Sequence, residues 1–597
     1  MKPVTNCHTH VFTAKHVPNF LSRSMIPWPF FYLVPVRPVL ALISWWYKHP
    51  ARIPYKGWYK RMQMFFTSIH SFLGKFGPLR SLIGYYISLQ AVHFVFHWIM
   101  GKTPATGIAA KINQVFEWLD KYHVLWNVPS VWLQVLIALA VFLFIRSGRN
   151  LIIFIAKNFW GMMKKLPGKQ TKETLRRYLY IGRYTFRISQ STNFSNLQAQ
   201  HPEGSSFVLL PMDMEYMGAG NTGERYRDQL TGLDHIRTNH PGRGLPFIFA
   251  DPRRIQEGMK EKRIKPGEKI YFSYLASAGK VTLGDCVMKE YLEDKKFSGI
   301  KIYPALGYYP FDPYLLALWK YAADKGIPIM THCVRGPMYY RGAKKNEWNQ
   351  HPIFMESVGR KKETDENDDS DLAGSKMVQL QLPEAGNPEF TANFTHPMNF
   401  LCLLEEPLLR ITVHQAIEKT GDQKLKDVFG FTDLNTPLQY NLHHLKICIG
   451  HYGGGDQWIE YFEKDRYPLS NQLLKKGTGI KFFDYKDDTP FSQGKVASLW
   501  RHTDWYSIIS SMMMKYEHVY ADISYILHND AEILPLLKQT LADERLRKKV
   551  LYGTDFFVVR NHKSDKQMLA DMTGGLSDLD FEQIARVNPG VWLQREQ

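Results

Sequence analysis

The 597-residue chain reads as an α/β protein, a (β/α)8 barrel with a large hydrophobic, mainly helical insertion after its first strand. Three observations lead there. Eight short apolar segments alternate with stretches of helical spacing, as in a parallel sheet buried on both faces. Histidines or carboxylates recur at the carboxyl ends of those segments, the rim where such barrels carry their chemistry. Once two long insertions are subtracted, what remains is close to the ~250 to 400 residues that the architecture needs.

Val4 to Phe12 is the first strand, and its side chains alternate, so His8 and His10 face the same way and can grip one ion. The pair by itself says little, because 22 histidines in 597 residues supply about 0.8 such pairs by chance. Ser206 to Met212 and Pro246 to Asp251 are unbroken apolar runs of strand length. Gly299 to Pro304 follows a helical run ending near Phe297, and Asp312 to Lys325 has helical spacing and leads into Ile327 to His332. Leu445 to His451, His518 to Ser524 and Lys549 to Asp555 complete the eight. The chain thus divides into residues 1–13, the first barrel strand; 14–203, the hydrophobic basic insertion; 204–335, strands two to five; 336–443, a second insertion or long loop with helices; and 444–597, strands six to eight with the C-terminal helices. Within the second insertion, the charged run Lys361 to Asp371 has no apolar residue and reads as a loop.

Composition narrows the class. With 45% apolar residues there is material for a large core. Five cysteines, odd in number and without a CxxC pair, exclude a disulfide framework or a zinc ribbon and fit a reducing compartment. The polar opening runs straight into the histidine strand, so no secretory signal is expected. The net charge of +19 is confined: residues 1–200 hold 25 Lys and Arg against Glu117, Asp120 and Glu173, and the rest of the chain is slightly acidic. Because that excess coincides with hydrophobic runs, it predicts no nucleic-acid partner. Ser81 to Met100 and Pro129 to Ile145 approach bilayer length, and basic residues crowd their outer flanks. Met25 to Tyr47, broken by prolines, and the short Leu151 to Met163 suit an interface better. Both ends of the insertion belong to one barrel, so any crossings are even in number. The expectation is a hairpin that holds the protein on the cytoplasmic side of a membrane through residues 20–200, with lipid as a partner.

The strand ends supply the candidate site. Strand one ends in His8 and His10, strand five in His332, strand six in His451 and strand eight in Asp555; strand four turns Lys301 inward with Tyr303. Any one of these is more often structural, a helix cap or a strand lysine paired with a carboxylate, but five or six coincidences at one rim are improbable. A zinc-class ion takes imidazole nitrogen and carboxylate oxygen, and His8, His10, His332 and Asp555 can furnish such a set. His451 is then left to act as a general base or to polarise a carbonyl.

The ordered motifs His8-Thr9-His10, Gly299 to Pro304, Thr331-His332, Gly450-His451-Tyr452-Gly453-Gly454 and Tyr552-Gly553-Thr554-Asp555 resemble the amidohydrolase superfamily of metal-dependent barrels. They are most similar to the amidohydrolase-related branch that includes aminocarboxymuconate semialdehyde decarboxylase, and Ile584 to Trp592 is similar to that branch's closing helix. The resemblance covers about residues 3–13, 204–335 and 444–593. It departs at Asn6-Cys7, where an acidic residue commonly precedes the first histidine. It implies one divalent metal per chain, zinc first, with a two-metal alternative in which a carboxylated Lys301 bridges, His332 and His451 hold the second ion and Asp555 moves the proton.

The leading function is a metal-dependent hydrolase that attacks an amide, ester or lactone carbonyl of a small-molecule, amphipathic substrate. The runner-up is a non-oxidative decarboxylase, and a non-catalytic membrane module stands third. Arg335, three residues past His332, is a weaker candidate for a substrate carboxylate or phosphate. A homodimer is an alternative to a single chain. His414, His443, His444, His502 and His528 fall outside the strand ends and are read as structural.

Overall fold

The computed structural model describes residues 2–18, 57–74, 77–100, 108–144, 189–259, 267–334, 336, 338–358, 376–382, 387–463, 473, 477, 479–483, 493 and 495–594. The chain divides into two compact units, one of Met1–Ala41 with Thr174–Gln597 and the other of Leu42–Glu173. Met25 to Tyr47, Leu151 to Met163, the run Lys361 to Asp371 and Arg335 lie outside the described residues.

In the first unit, eight parallel strands follow one another around a barrel: β1 (Thr5–Thr9), β2 (Ser206–Leu209), β3 (Gly244–Phe249), β4 (Gly299–Lys301), β5 (Ile329–His332), β6 (Ile447–Gly450), β7 (Val519–Asp522) and β8 (Val550–Leu551). Each lies within a segment, or overlaps one, that the apolar pattern marks. Closure is made past the end of β8, where the Cys7 amide donates to the Tyr552 carbonyl at 2.8 Å, the Asp555 amide to His8 at 2.8 Å and the His10 amide to Phe556 at 2.7 Å. With no free edge left among the eight, every strand can be apolar on its outer face and pack under the surrounding helices.

Inside the barrel, Cys7, Val208, Leu210, Phe247, Met330, Cys448, Tyr520 and Leu551 form one apolar cluster, stoppered by the fully buried Trp592. Trp592 sits on the closing helix Asn588–Leu593, which is stitched to β8: the Asn588 side-chain amide donates to the carbonyls of Arg547 and Val550, each at 2.7 Å. Strict alternation fails at β1. Cys7 belongs to the apolar cluster while its neighbour His8 turns toward the rim, and the register with β2 shifts between Asn6 and Thr9. That bulge supplies the extra turn that brings consecutive side chains inward.

Both visible ends of the first insertion are pinned beside β1. The Thr13 amide donates to His16 Nδ1 at 3.0 Å, and His16 Nε2 lies 3.3 Å from Glu224; on the return, the Asn193 side chain donates to the carbonyls of Val11 and Phe12. Within the second insertion, Gln350–Val358 pairs antiparallel with Lys376–Gln381 ahead of helices such as Glu406–Thr420.

Among the described residues the second unit shows four helices, α1 (Gly57–Gly74), α2 (Gly77–Met100), α3 (Ile108–Lys121) and α4 (Val131–Phe144). Ala91 of α2 and Ala138 of α4 are buried together with Ile87 and Val95 against them. Polar staples hold the connection: the Gln90 side chain donates to the Val124 carbonyl and accepts from the Trp126 amide, both at 2.9 Å, while Gln134 accepts from the Trp98 indole at 2.7 Å. These facts correct the expected membrane hairpin and the localisation derived from it. Among the described residues, no helix is long and apolar enough to cross a membrane. α4 has 14 residues, about 21 Å at ~1.5 Å each, against a hydrocarbon core of ~30 Å. α2 has the length, but it carries Gln90, His93 and His97 within its apolar run.

Candidate metal centre

β1 and the turn after β8 build one half of the site. The His10 and His8 Nε2 atoms lie 3.3 and 4.0 Å from one Asp555 carboxylate oxygen, and the three donor atoms all fall within 4.8 Å of one another. Tetrahedral ligands about 2.1 Å from a common ion stand about 3.4 Å apart, so the spacing suits one ion. The remaining ring nitrogens are already spoken for. His8 Nδ1 is 2.9 Å from Asp522 Oδ2, and His10 Nδ1 is 2.9 Å from the Leu210 carbonyl. Both partners only accept, so each imidazole carries its proton on Nδ1 and presents a lone pair at Nε2. His8 Nε2 is buried without a hydrogen-bond partner. Such an orphan is costly unless something binds it, and a divalent cation fits the donors around it.

Electrostatics agree with a neutral His8 and an ionised acid. Burial pushes His8 down to about 3, with Asp522 opposing and Lys301 and His451 assisting. Burial acts upward on Asp555, but the adjoining His10, His451 and His8 outweigh it and hold the carboxyl below its usual range. The backbone is strained where the site turns: Asp555 has φ +59°, His451 +64° and Tyr452 +45°. Such conformations cost on the order of 1 to 3 kcal/mol each. Gly450 and Gly553 must lack side chains, because a Cβ there would meet the Thr331 carbonyl at 2.4 Å and the His8 Cβ at 2.9 Å.

The other half lies on β5 and β6. His451 Nε2 is 3.0 Å from His332 Nδ1, and the His332 ring stacks on Tyr303 with centroids 4.0 Å apart. His332 therefore stands outside the His8, His10 and Asp555 group, and its buried Nε2 has no hydrogen-bond partner. Burial pushes His332 well below the ordinary imidazole value, with His451 and Lys301 adding to it, and burial likewise lowers His451. Lys301 is fully buried within the barrel and, among the described residues, has one hydrogen bond, to the Thr331 carbonyl at 3.3 Å. Among the described residues no ion pair holds it, and burial pulls its amine down to about 8 against the attraction of Asp522, Asp555 and Cys448.

Sequence reasoning missed three residues. Asp522, at the end of β7, bonds His8 and also accepts from the His451 amide at 3.2 Å. Ser524 bonds His451 Nδ1 at 2.9 Å. Asn6, the departure noted before the first histidine, donates to Thr554 Oγ1 at 2.8 Å and accepts from the Thr554 amide, which fixes the turn that carries Asp555. The signal for Asp522 was present, because strand seven lacked a rim residue and ends in one. Of the histidines read as structural, His414 stacks on Phe431, whereas His528 lies at the rim, stacked on His562 and beside Tyr525.

No protein-family model and no curated protein sequence matches the chain. Solved structures similar to it include a 2,6-dihydroxybenzoate decarboxylase from Rhizobium, at 12% identity and TM-score 0.32, covering 72% of this chain and 93% of that one. A 5-carboxyvanillate decarboxylase from Novosphingobium aromaticivorans DSM 12444, complexed with manganese and 4-hydroxy-3-methoxy-5-nitrobenzoic acid, is similar at 12% identity and TM-score 0.32, covering 75% and 92%. An amidohydrolase from Mycobacterium avium subsp. paratuberculosis K-10 is similar at 13% identity and TM-score 0.29, covering 68% and 74%. At that distance the assignment of a (β/α)8 barrel rests on the strand order and closure of this chain itself.

Proposed function

We propose that the chain is a divalent-metal-dependent enzyme of the amidohydrolase type, acting at a carbonyl or carboxyl carbon of a small molecule. The observation that carries this reading is the buried, unpartnered His8 Nε2 facing His10 and Asp555, with both histidine tautomers held from behind. His8, His10 and Asp555 hold one ion, zinc first among those that accept imidazole and carboxylate together. When bound, such an ion polarises a carbonyl or carboxylate oxygen and lowers the pKa of a water molecule. His451 presents a neutral Nε2 lone pair and takes a proton as general base. His332 Nδ1, 3.0 Å away on β5, occupies that lone pair at rest, so proton uptake by His451 requires this contact to open.

In hydrolysis of an amide, ester or lactone, His451 takes the proton of the attacking water and delivers it to the leaving group. The burial of the centre favours a second reading, non-oxidative decarboxylation. His8 and Asp522 are 0% exposed and His451 2%, and exclusion of water both raises the energy of a bound carboxylate and removes the reactant that hydrolysis needs. In that case protonated His451 supplies the proton that replaces carbon dioxide. Purified protein incubated with esters, lactones, amides and hydroxylated aromatic acids separates the two by product, a new carboxylic acid against carbon dioxide. Turnover of any of them that survives removal of the metal by a chelator overturns the metal-dependent reading.

A further inference from the structure

Asp522 is the most connected side chain of the centre, with both carboxylate oxygens engaged by donors of the chain itself. Its Oδ2 accepts from His8 Nδ1 at 2.9 Å. Its Oδ1 accepts from the Ser524 amide at 2.9 Å, the His451 amide at 3.2 Å and the Ser524 hydroxyl. Donor atoms of His8, His451 and Asp522 do lie close enough together to suggest a second cation site. The protons already aimed at the carboxylate argue against it, because a cation there would have to displace them.

The bonds also settle where two ring protons sit. A carboxylate has no proton to give, so the Ser524 hydroxyl donates to Asp522 and can only accept from His451 Nδ1, 2.9 Å away. The Ser524 carbonyl, at 3.3 Å from the same nitrogen, is the longer and weaker acceptor, so the hydroxyl at 2.9 Å carries the choice of tautomer. His451 is thereby left with its lone pair on Nε2. The same carboxylate, through His8 Nδ1, leaves His8 with its lone pair on Nε2. One acid at the end of β7 sets both.

We propose that Asp522 and Ser524 are positioning residues that fix the tautomers of His8 at the metal and of His451 as the base, coupling the two halves of the centre through one carboxylate. The His8 half rests on the metal-dependent reading above; the His451 half does not.

The test uses the full-length chain, stripped of metal, with manganese(II) as the probe and ring-15N histidine for nitrogen-detected tautomers at pH 7.5, the His451→Gln variant identifying the His451 signals. Asp522→Asn offers an amide proton where a carboxylate accepted one, drives His8 to the opposite tautomer and is expected to weaken manganese binding by 10- to 100-fold. Ser524→Ala is expected to leave manganese affinity within about twofold while the His451 signal changes from a single Nδ1–H form to a mixture. Ser524→Thr, which keeps the hydroxyl, restores the single form. Manganese affinity unchanged in Asp522→Asn, or a single Nδ1–H form persisting in Ser524→Ala, overturns the proposal. Should Asp522→Asn not fold, the serine pair, which alters one hydroxyl, decides the question. Failure of the wild-type chain to bind manganese would instead overturn the metal-dependent reading, and the His451 signals would still judge the relay.

Discussion

Two layers of the barrel interior, two residues apart on the same strands, are built on opposite principles. Met330, Cys448 and Tyr520 lie in the apolar cluster under Trp592; two positions further along the same strands stand His332, Gly450 and Asp522. A step of two residues advances about 6.6 Å and keeps the side chain on the same face, so one face of one strand passes from packing to chemistry within that distance. The lower layer has its side chains paired with one another and gains by exclusion of water. In the upper layer, His8 and His332 keep buried nitrogens without hydrogen-bond partners, and His451 and Asp555 hold strained backbone. The difference teaches that one end of this barrel is built for strength, while the other, which carries the proposed metal centre, gives up local stability.

The largest effect expected from breaking that division is on the upper layer. His10→Ala removes one of the three proposed ligands and leaves the lower layer untouched; metal content should fall below about one tenth per chain and turnover by at least about 10³-fold, with the melting temperature of the metal-free protein nearly unchanged. Full metal occupancy in that variant would mean that His10 is no ligand. Trp592→Ala does the reverse. It should cost about 3 to 5 kcal/mol in a denaturant titration, while the protein that remains folded still binds metal stoichiometrically; loss of metal at native temperatures would show that the two layers are not separable.

A smaller effect concerns acid. His8 has a folded value near 3 against an ordinary 6.5, so its contribution to stability is fully present above pH 6.5 and is lost as pH falls from 6.5 toward 3. Denaturation midpoints of the metal-free chain should decline through that window, and less steeply in His8→Gln. An equal slope in both proteins would assign the loss elsewhere. The smallest effect expected is on metal count. Lys301→Met should leave about one ion per chain, since the hydrogen bond of Lys301 among the described residues goes to a carbonyl; two ions in the parent falling to one in the variant would instead make Lys301 a bridging ligand.

Much of this was legible in the sequence because it depends on local pattern. Apolar runs of strand length separated by helices specify parallel strands whatever their partners, and the ends of those strands specify a rim; hence all eight strands and the positions of His8, His10, His332, Lys301, His451 and Asp555 could be read in order. Hydrophobicity is also local, and there it misled. It marked Ser81 to Met100 and Pro129 to Ile145 as apolar, but it carries no information on where a helix ends or on whether a glutamine staples it to the next segment, as Gln90 does.

What only the tertiary structure decided involves partners brought together by barrel closure. His8 meets Asp522 across 514 positions, and Asn6 meets Thr554 across 548. The bulge that lets Cys7 and His8 both turn inward exists only because β1 must pair with β2 on one side and with the end of β8 on the other. His332, equal to the other histidines in sequence, lies against His451 and Tyr303 instead of joining the His8, His10 and Asp555 group. A strand pattern fixes which face a side chain leaves from, to within a bulge; which atom it then meets depends on twist, tilt and register around the whole barrel, and no stretch of sequence contains those.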